Sequence, residues 1–225
     1  MKTYRYLDLI TATFVVVLIV SNISSTKVVL FGPFTFDGGT LLFPLAYIFG
    51  DILTEVYGYK KARRVIWTGF FLLLLTTLSL GLVNALPAPS DEVSQKYSEA
   101  FSTLLGLVPR IVLASLVAYW VGGFVNSYIV ARLKVITSGR WLALRTTAST
   151  IVGQGLDTAI FLLIAFYGVW DNSLLWTVFV SNYVFKVGVE VLFTPLTYTV
   201  VGFLKRAEQE DCFDRSTNFN PFSAR

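Results

Sequence analysis

Long apolar segments alternate with short polar connections along the whole chain. Six of these segments approach or exceed the roughly 20 residues that a helix needs to cross the hydrocarbon core of a bilayer. They cover residues 7–26, 40–57, 65–86, 111–131, 146–167 and 174–204. The pattern predicts an all-α fold, a polytopic membrane protein with a six-helix transmembrane bundle. The last segment is overlong, and we expect it to tilt, to bend near Pro195 or to begin outside the membrane.

Basic residues concentrate in every second connection between these segments. Residues 60–64 contain four of them and residues 132–140 contain three, whereas residues 31–39 and 168–173 contain none. The positive-inside rule therefore predicts that both termini are cytoplasmic. We expect one transmembrane domain over residues 1–206 and a polar cytoplasmic tail over residues 207–225, disordered or loosely docked. In the external connection, residues 97–107 have the composition of a short surface helix.

Composition narrows the function classes. The chain has 225 residues, of which 55% are hydrophobic and 14% charged, against about 25% charged in soluble domains. Because its basic residues flank apolar segments, the net charge of +4 indicates contact with the lipid bilayer and no nucleic-acid partner. The chain contains no histidine and no P-loop motif, so we expect no cofactor, no metal site and no enzymatic activity.

Five charged residues stand out well inside the apolar segments: Asp51, Glu55, Asp157, Lys186 and Glu190. Charges at this depth are unfavourable and mark functional sites. Helical rise places Asp51 and Asp157 near the midplane, which favours a substrate site for both. Glu55 and Glu190 fit a site or a scaffold about equally. Lys186 lies four residues before Glu190, so the two can pair on one helix face, and an internal ion pair that joins the last helix to the bundle is the favoured role of Lys186.

Side-chain amides complete this polar pattern. Gln154 precedes Asp157 by three residues and shares its helix face, and Asn22 lies at the far end of the first segment. Carboxylates and amides together suit the hydrogen-bonding edge of a planar heterocycle, on which Phe43, Tyr47 or Phe161 could stack. The candidate substrate-binding residues are Asp51, Glu55, Asp157, Gln154, Asn22 and Glu190.

Residues 43–63, FPLAYIFGDILTEVYGYKKAR, resemble the signature of the queuosine precursor transporter family, also called the vitamin uptake transporter family. The second half agrees at Arg110, Ala114-Ser115, Leu144-Arg145, Ser149-Thr150, Gly153-Gln154 and Asp157, and Ser21-Asn22 also fits. The resemblance implies an inner-membrane importer of 7-deazaguanine precursors of the tRNA nucleoside queuosine, in the cyano or aminomethyl form, or of queuine. It implies that Asp51 or Asp157 binds the ring edge, with Gln154 and Asn22 on other polar atoms and Glu55 in a supporting or coupling role.

Several mechanisms remain open on the sequence alone. The chain could be a stand-alone facilitator or ion-coupled carrier, or the substrate-binding membrane subunit of an ATP-driven vitamin importer. The stripe of Ala114, Ala118 and Gly122 could pack within the bundle or dock on another subunit. A membrane aspartyl hydrolase built on Asp51 and Asp157 and a structural assembly protein are weaker alternatives. The sequence also does not distinguish a monomer from a homodimer.

Overall fold

A computed structural model describes residues 4–31, 34–106, 108–168 and 171–222. Within these residues the chain forms seven α-helices, with a small hairpin after the first. The elements are α1 (Leu7–Ser24), β1 (Val28–Phe31), β2 (Phe34–Asp37), a 3-10 turn (Gly38–Leu41), α2 (Phe43–Tyr57), α3 (Tyr59–Ala85), α4 (Glu92–Gly106), α5 (Val108–Ile136), α6 (Leu142–Phe166) and α7 (Asn172–Glu208).

Six of these helices are long and apolar enough to cross a membrane, which confirms the predicted six-helix transmembrane bundle. The seventh, α4, is a surface helix that begins five residues before the one expected in the external connection. The antiparallel hairpin of β1 and β2 was not predicted. Its four-residue strands are rich in valine and phenylalanine, residues that favour strands, but they are short and directly follow a long apolar segment. Helix α7 runs unbroken from Asn172 to Glu208 with Pro195 inside it.

The bundle has two ends that differ in charge. We call the end where α2 meets α3 and α5 meets α6 the basic end. The segment before α1 and the segment after α7 meet there, because the Tyr4 hydroxyl donates a hydrogen bond of 3.0 Å to Glu210. The opposite end carries β1, β2 and α4 and is called the hairpin end. The cytoplasmic location of the basic end stays a prediction from the positive-inside rule.

Helix α2 lies at the centre of the bundle and contacts α1, α3, α5 and α7. Of its span, 78% is buried, against 22–44% for the other five spans. Those five helices expose large apolar side chains on their outer faces, such as Leu78 and Leu82 in α3 and Leu192 in α7. Such surfaces suit lipid, while the central helix carries polar groups into the protein interior.

Helices α5 and α6 pack through glycines. A Cβ atom placed on Gly122 would lie 2.7 Å from the backbone oxygen of Gly153 and 2.9 Å from the Cβ atom of Asp157. Ala114 and Ala118, the other members of the stripe, are fully buried. The stripe therefore packs within the bundle, where small residues let backbones approach closely.

We expect the substitution Gly122→Ala to lower the free energy of unfolding by about 1–3 kcal/mol, because the facing backbone cannot yield to the added methyl group. Thermal unfolding in detergent micelles, followed by tryptophan fluorescence, measures the effect. The matched control is Gly123→Ala, where the nearest atom to the new methyl group is 3.4 Å away on the Tyr119 ring. Equal melting temperatures for the two variants would contradict the close contact.

Candidate functional site

Helix α2 carries the first two predicted acids into the interior. Asp51 and Glu55 are both fully buried and lie one turn apart. They meet different surroundings, because Glu55 faces cations at the basic end and Asp51 faces polar side chains deeper in the bundle.

Three cations converge on Glu55. Its Oε1 atom lies 2.8 Å from the Arg145 guanidinium, 2.7 Å from Lys205 Nζ and 3.5 Å from Lys134 Nζ. Lys134 and Lys205 also pair with Asp211, at 2.5 and 2.9 Å. These five residues, which we call the Glu55 network, join α2, α5, α6, α7 and the tail. The network closes the basic end, so the structure gives Glu55 a scaffold position.

The tail after α7 docks on this end of the bundle. The Cys212 amide donates to the Val56 carbonyl, and the Asp214 carboxylate accepts from the Tyr59 amide at 2.9 Å. Arg63 donates to the Asn220 carbonyl at 2.6 Å. Burial by itself would raise the pKa of Asp211, but hydrogen bonds from Lys134 and Lys205 outweigh it and hold the pKa below the usual aspartate value.

We expect Asp211→Asn to loosen the tail and to speed maleimide labelling of Cys212, the chain's single cysteine. Burial and the nearby Asp214 charge raise the pKa of the Cys212 thiol, so undocking exposes the thiol and favours its reactive thiolate. A half-exposed ion pair contributes up to about 1 kcal/mol, which predicts roughly fivefold faster labelling. Asp91→Asn, at the hairpin end, is the control, and an unchanged rate in Asp211→Asn would show that the pair does not hold the tail.

A second ion pair joins α6 to α7. Lys186 Nζ lies 3.0 Å from Asp157 Oδ2 and 4.8 Å from the centroid of the Phe43 ring. On the sequence alone, the lysine could pair with Glu190 on its own helix. The structure gives it a partner on the neighbouring helix, in keeping with the favoured role of joining α7 to the bundle. The second carboxylate oxygen of Asp157 has no hydrogen-bond partner among the described residues.

This ion pair borders a small cavity near the hairpin end. The cavity has a volume of about 30 Å³, enough for a water molecule. It is lined by Ser25, Gly39, Thr40, Phe43, Ser115, Asp157, Phe161 and Lys186. A bicyclic base is larger than this space, so it could enter only if the surrounding helices moved apart. The cavity lies towards the hairpin end of the bundle, and the Glu55 network lies across the basic end.

A third polar group lies between the two ion pairs. Asn126 donates a hydrogen bond of 2.5 Å to Asp51 Oδ1, and Glu190 approaches Asp51 closely enough for their carboxyl groups to interact. Gln154 and Glu190 are fully buried. Neither the amide of Gln154 nor the carboxylate of Glu190 has a hydrogen bond of normal geometry within the described parts of the chain. Such groups are unfavourable in a dry interior unless something polar binds there.

Asn22 lies apart from these groups. Its amide donates to the Leu18 carbonyl at 2.9 Å, within its own helix. It lines a separate, mostly apolar cavity of about 20 Å³ with Leu73, Thr76 and Val112 among others. The structure thus brings Asp157 to a cavity and Asp51, Gln154 and Glu190 to a polar interior, while Glu55 and Asn22 have protein partners elsewhere.

Sequence reasoning missed the interior role of Lys134, which it assigned to a loop. The lysine is buried because α5 continues to Ile136. A signal was present, since Ser127, Val130, Ala131 and Lys134 recur at helical spacing and all four are buried. Extending the helical period beyond the apolar segment would have placed Lys134 on the inward face.

Known proteins similar to the chain are transporters by name. A family model described as "Putative vitamin uptake transporter" matches residues 37–200. A "Probable queuosine precursor transporter" of Bacillus subtilis is 33% identical over 192 residues, which are 84% of this chain and 82% of that protein. A protein of the same name from Haemophilus influenzae is 28% identical, covering 76% and 71%. The "Queuosine precursor transporter" of Escherichia coli is 28% identical, covering 72% and 71%. No solved structure matches the chain.

Proposed function

We propose, from the premise that this chain belongs to the vitamin uptake transporter family, that it imports a queuosine precursor. The chain is a multi-pass protein of the inner membrane, and its relatives carry that substrate in their names. The substrate class that we propose is a 7-deazaguanine base: the 7-cyano or 7-aminomethyl form, or queuine. Import of such a base supports salvage for tRNA queuosine.

The observation that carries the proposal is the unsatisfied Asp157 oxygen beside a polar cavity in a membrane bundle. A guanine-like ring presents adjacent N–H donors that a carboxylate accepts. Phe43 and Phe161 line the same cavity and offer faces on which a planar ring can stack. We assign Asp157 to the ring edge and Gln154, one turn deeper, to a further polar atom of the base.

The position of the small cavity near the hairpin end suggests how transport proceeds. In the predicted topology the hairpin end faces outwards, so substrate enters there while the Glu55 network keeps the cytoplasmic end shut. Release to the cytoplasm requires that network to open while the outer path closes, as in alternating access. Asn22, Glu55, Asp51 and Glu190 have no substrate contact in this proposal, although all four were candidates on sequence grounds.

Uptake by the purified chain in liposomes tests the proposal. We expect labelled 7-cyano-7-deazaguanine to enter without ATP, and unlabelled 7-deazaguanines to compete better than adenine. The recovered base should have an unchanged mass, since the proposed role is transport and not catalysis. Uptake that appears only after an ATP-driven module is added would instead support the binding-subunit alternative. The small-residue stripe that suggested such docking is occupied by α5–α6 packing, so no contact observed here favours it.

A further inference from the structure

We propose that Asp51 and Glu190 form a proton-binding pair, separate from the substrate site at Asp157, and that one proton carried there is coupled to substrate import. The inference rests on the proposed function and names the coupling ion that the family resemblance leaves open. We call these two residues the acid pair.

The first support is the position of the two carboxyl groups. Both residues are fully buried, and their side chains interact across the contact between α2 and α7. Two carboxylates at such close range in a medium of low dielectric constant cannot both stay ionised without compensation. The known solution in proteins is one proton shared between the two groups.

The second support is a set of polar atoms around the acid pair with no protein partner. Asn126 donates to Asp51 through its side-chain nitrogen, and its amide oxygen has no hydrogen-bond partner within the described residues. Oδ2 of Asp51 and both carboxylate oxygens of Glu190 also have no hydrogen-bond partner within the described residues.

The net charge of the interior ionisable groups is also negative unless one further positive ion binds among them. With every member ionised, the Glu55 network has three cations and two anions, a surplus of one positive charge. Asp157 and Lys186 neutralise each other. The acid pair adds two negative charges when fully ionised. One bound proton leaves it with a single negative charge, which balances the surplus of the network.

A proton fits this pair better than a metal ion. No group of three or more acidic, histidine or cysteine side chains suited to a metal occurs in the described part of the chain. The titratable and charged groups that face the acid pair are Tyr47 and Glu55 from α2, Tyr119 from α5, Asp157 from α6 and Lys186 from α7. Proton movement needs none of these side chains to leave its partner.

The two sites share helices, which provides the coupling. Glu190 lies one turn from Lys186 on α7, and Gln154 lies one turn from Asp157 on α6. Protonation relieves the repulsion between α2 and α7 on the basic-end side of the substrate site, and that lets these helices rearrange while substrate is bound. Deprotonation towards the cytoplasm restores the repulsion and favours the opposite opening.

Two assays on the same proteoliposomes test this coupling. The first measures accumulation of 7-cyano-7-deazaguanine driven by an acidic exterior, and the second measures counterflow exchange with no gradient. For one proton per neutral base, the wild-type chain should accumulate the base up to about tenfold per pH unit. The variant Glu190→Gln should lose accumulation and keep counterflow within about twofold, because an uncoupled carrier still exchanges substrate. Glu190→Asp keeps a titratable group and should retain part of the accumulation.

The control variant is Glu92→Gln, which removes an exposed acid on α4 and should behave as wild type. The coupling proposal fails if Glu190→Gln accumulates base as wild type does, if it loses counterflow together with accumulation, or if only a sodium gradient drives the wild-type chain. Absence of wild-type counterflow would overturn the proposed substrate instead, so the two failures are distinguishable.

Discussion

Replacing Glu55 with leucine is expected to lower the free energy of unfolding by about 3–5 kcal/mol, the largest stability effect of any single change considered. Arg145 and Lys134 are almost completely buried, and the substitution leaves Arg145 without its ionic partner. Breaking a buried ion pair from one side leaves an uncompensated charge in a medium of low dielectric constant. The Arg145 guanidinium stays protonated, so it cannot lower this free-energy cost by becoming neutral.

Denaturation in micelles, followed by tryptophan fluorescence, measures that loss. Asp211→Asn serves as the comparison, because it removes the half-exposed acid of the same network and should lower stability by no more than about 1 kcal/mol. The double variant Glu55→Leu/Arg145→Met removes both charges and should recover part of the loss. If Glu55→Leu unfolded at the same denaturant concentration as the wild-type chain, the network would not close the basic end.

The substitution Asp157→Asn is expected to weaken binding of a 7-deazaguanine base by about 10–100-fold. A hydrogen bond to a charged group contributes about 1.5–3 kcal/mol, and a neutral amide cannot accept two N–H donors as a carboxylate does. The substitution also removes the ionic partner of Lys186, 3.0 Å away. Equilibrium binding of the purified protein in micelles measures the affinity directly.

The double variant Asp157→Asn/Lys186→Met separates ligand recognition from helix packing. It eliminates the unpaired cation, so stability should return towards that of the wild-type chain while binding stays weak. If the double variant bound the base normally, Asp157 would serve only to neutralise Lys186, and the assigned substrate contact would be wrong.

The features that depend on local composition could be predicted from the sequence. The number of spans, the buried acids and the block around residues 43–63 all follow from residues close together along the chain. Six helices at the expected places confirm the first of these. The tail was expected to be disordered or loosely docked, and the described part, up to Phe222, makes several hydrogen bonds to the basic end. These contacts could not be predicted from the sequence because the partner residues lie about 150 residues earlier in the chain.

By itself, the amino-acid sequence determined a membrane bundle with acids at its centre, because apolar length and the unfavourable burial of charge are properties of single segments. The tertiary structure alone decided which charges meet. Asp157 pairs with Lys186, Glu55 with Arg145, and Asp51 lies against Glu190. These pairings depend on the order of the helices and on the rotation of each about its axis. Both are set by packing between distant segments, such as the Gly122 and Gly153 contact, which hydrophobicity along one segment does not encode.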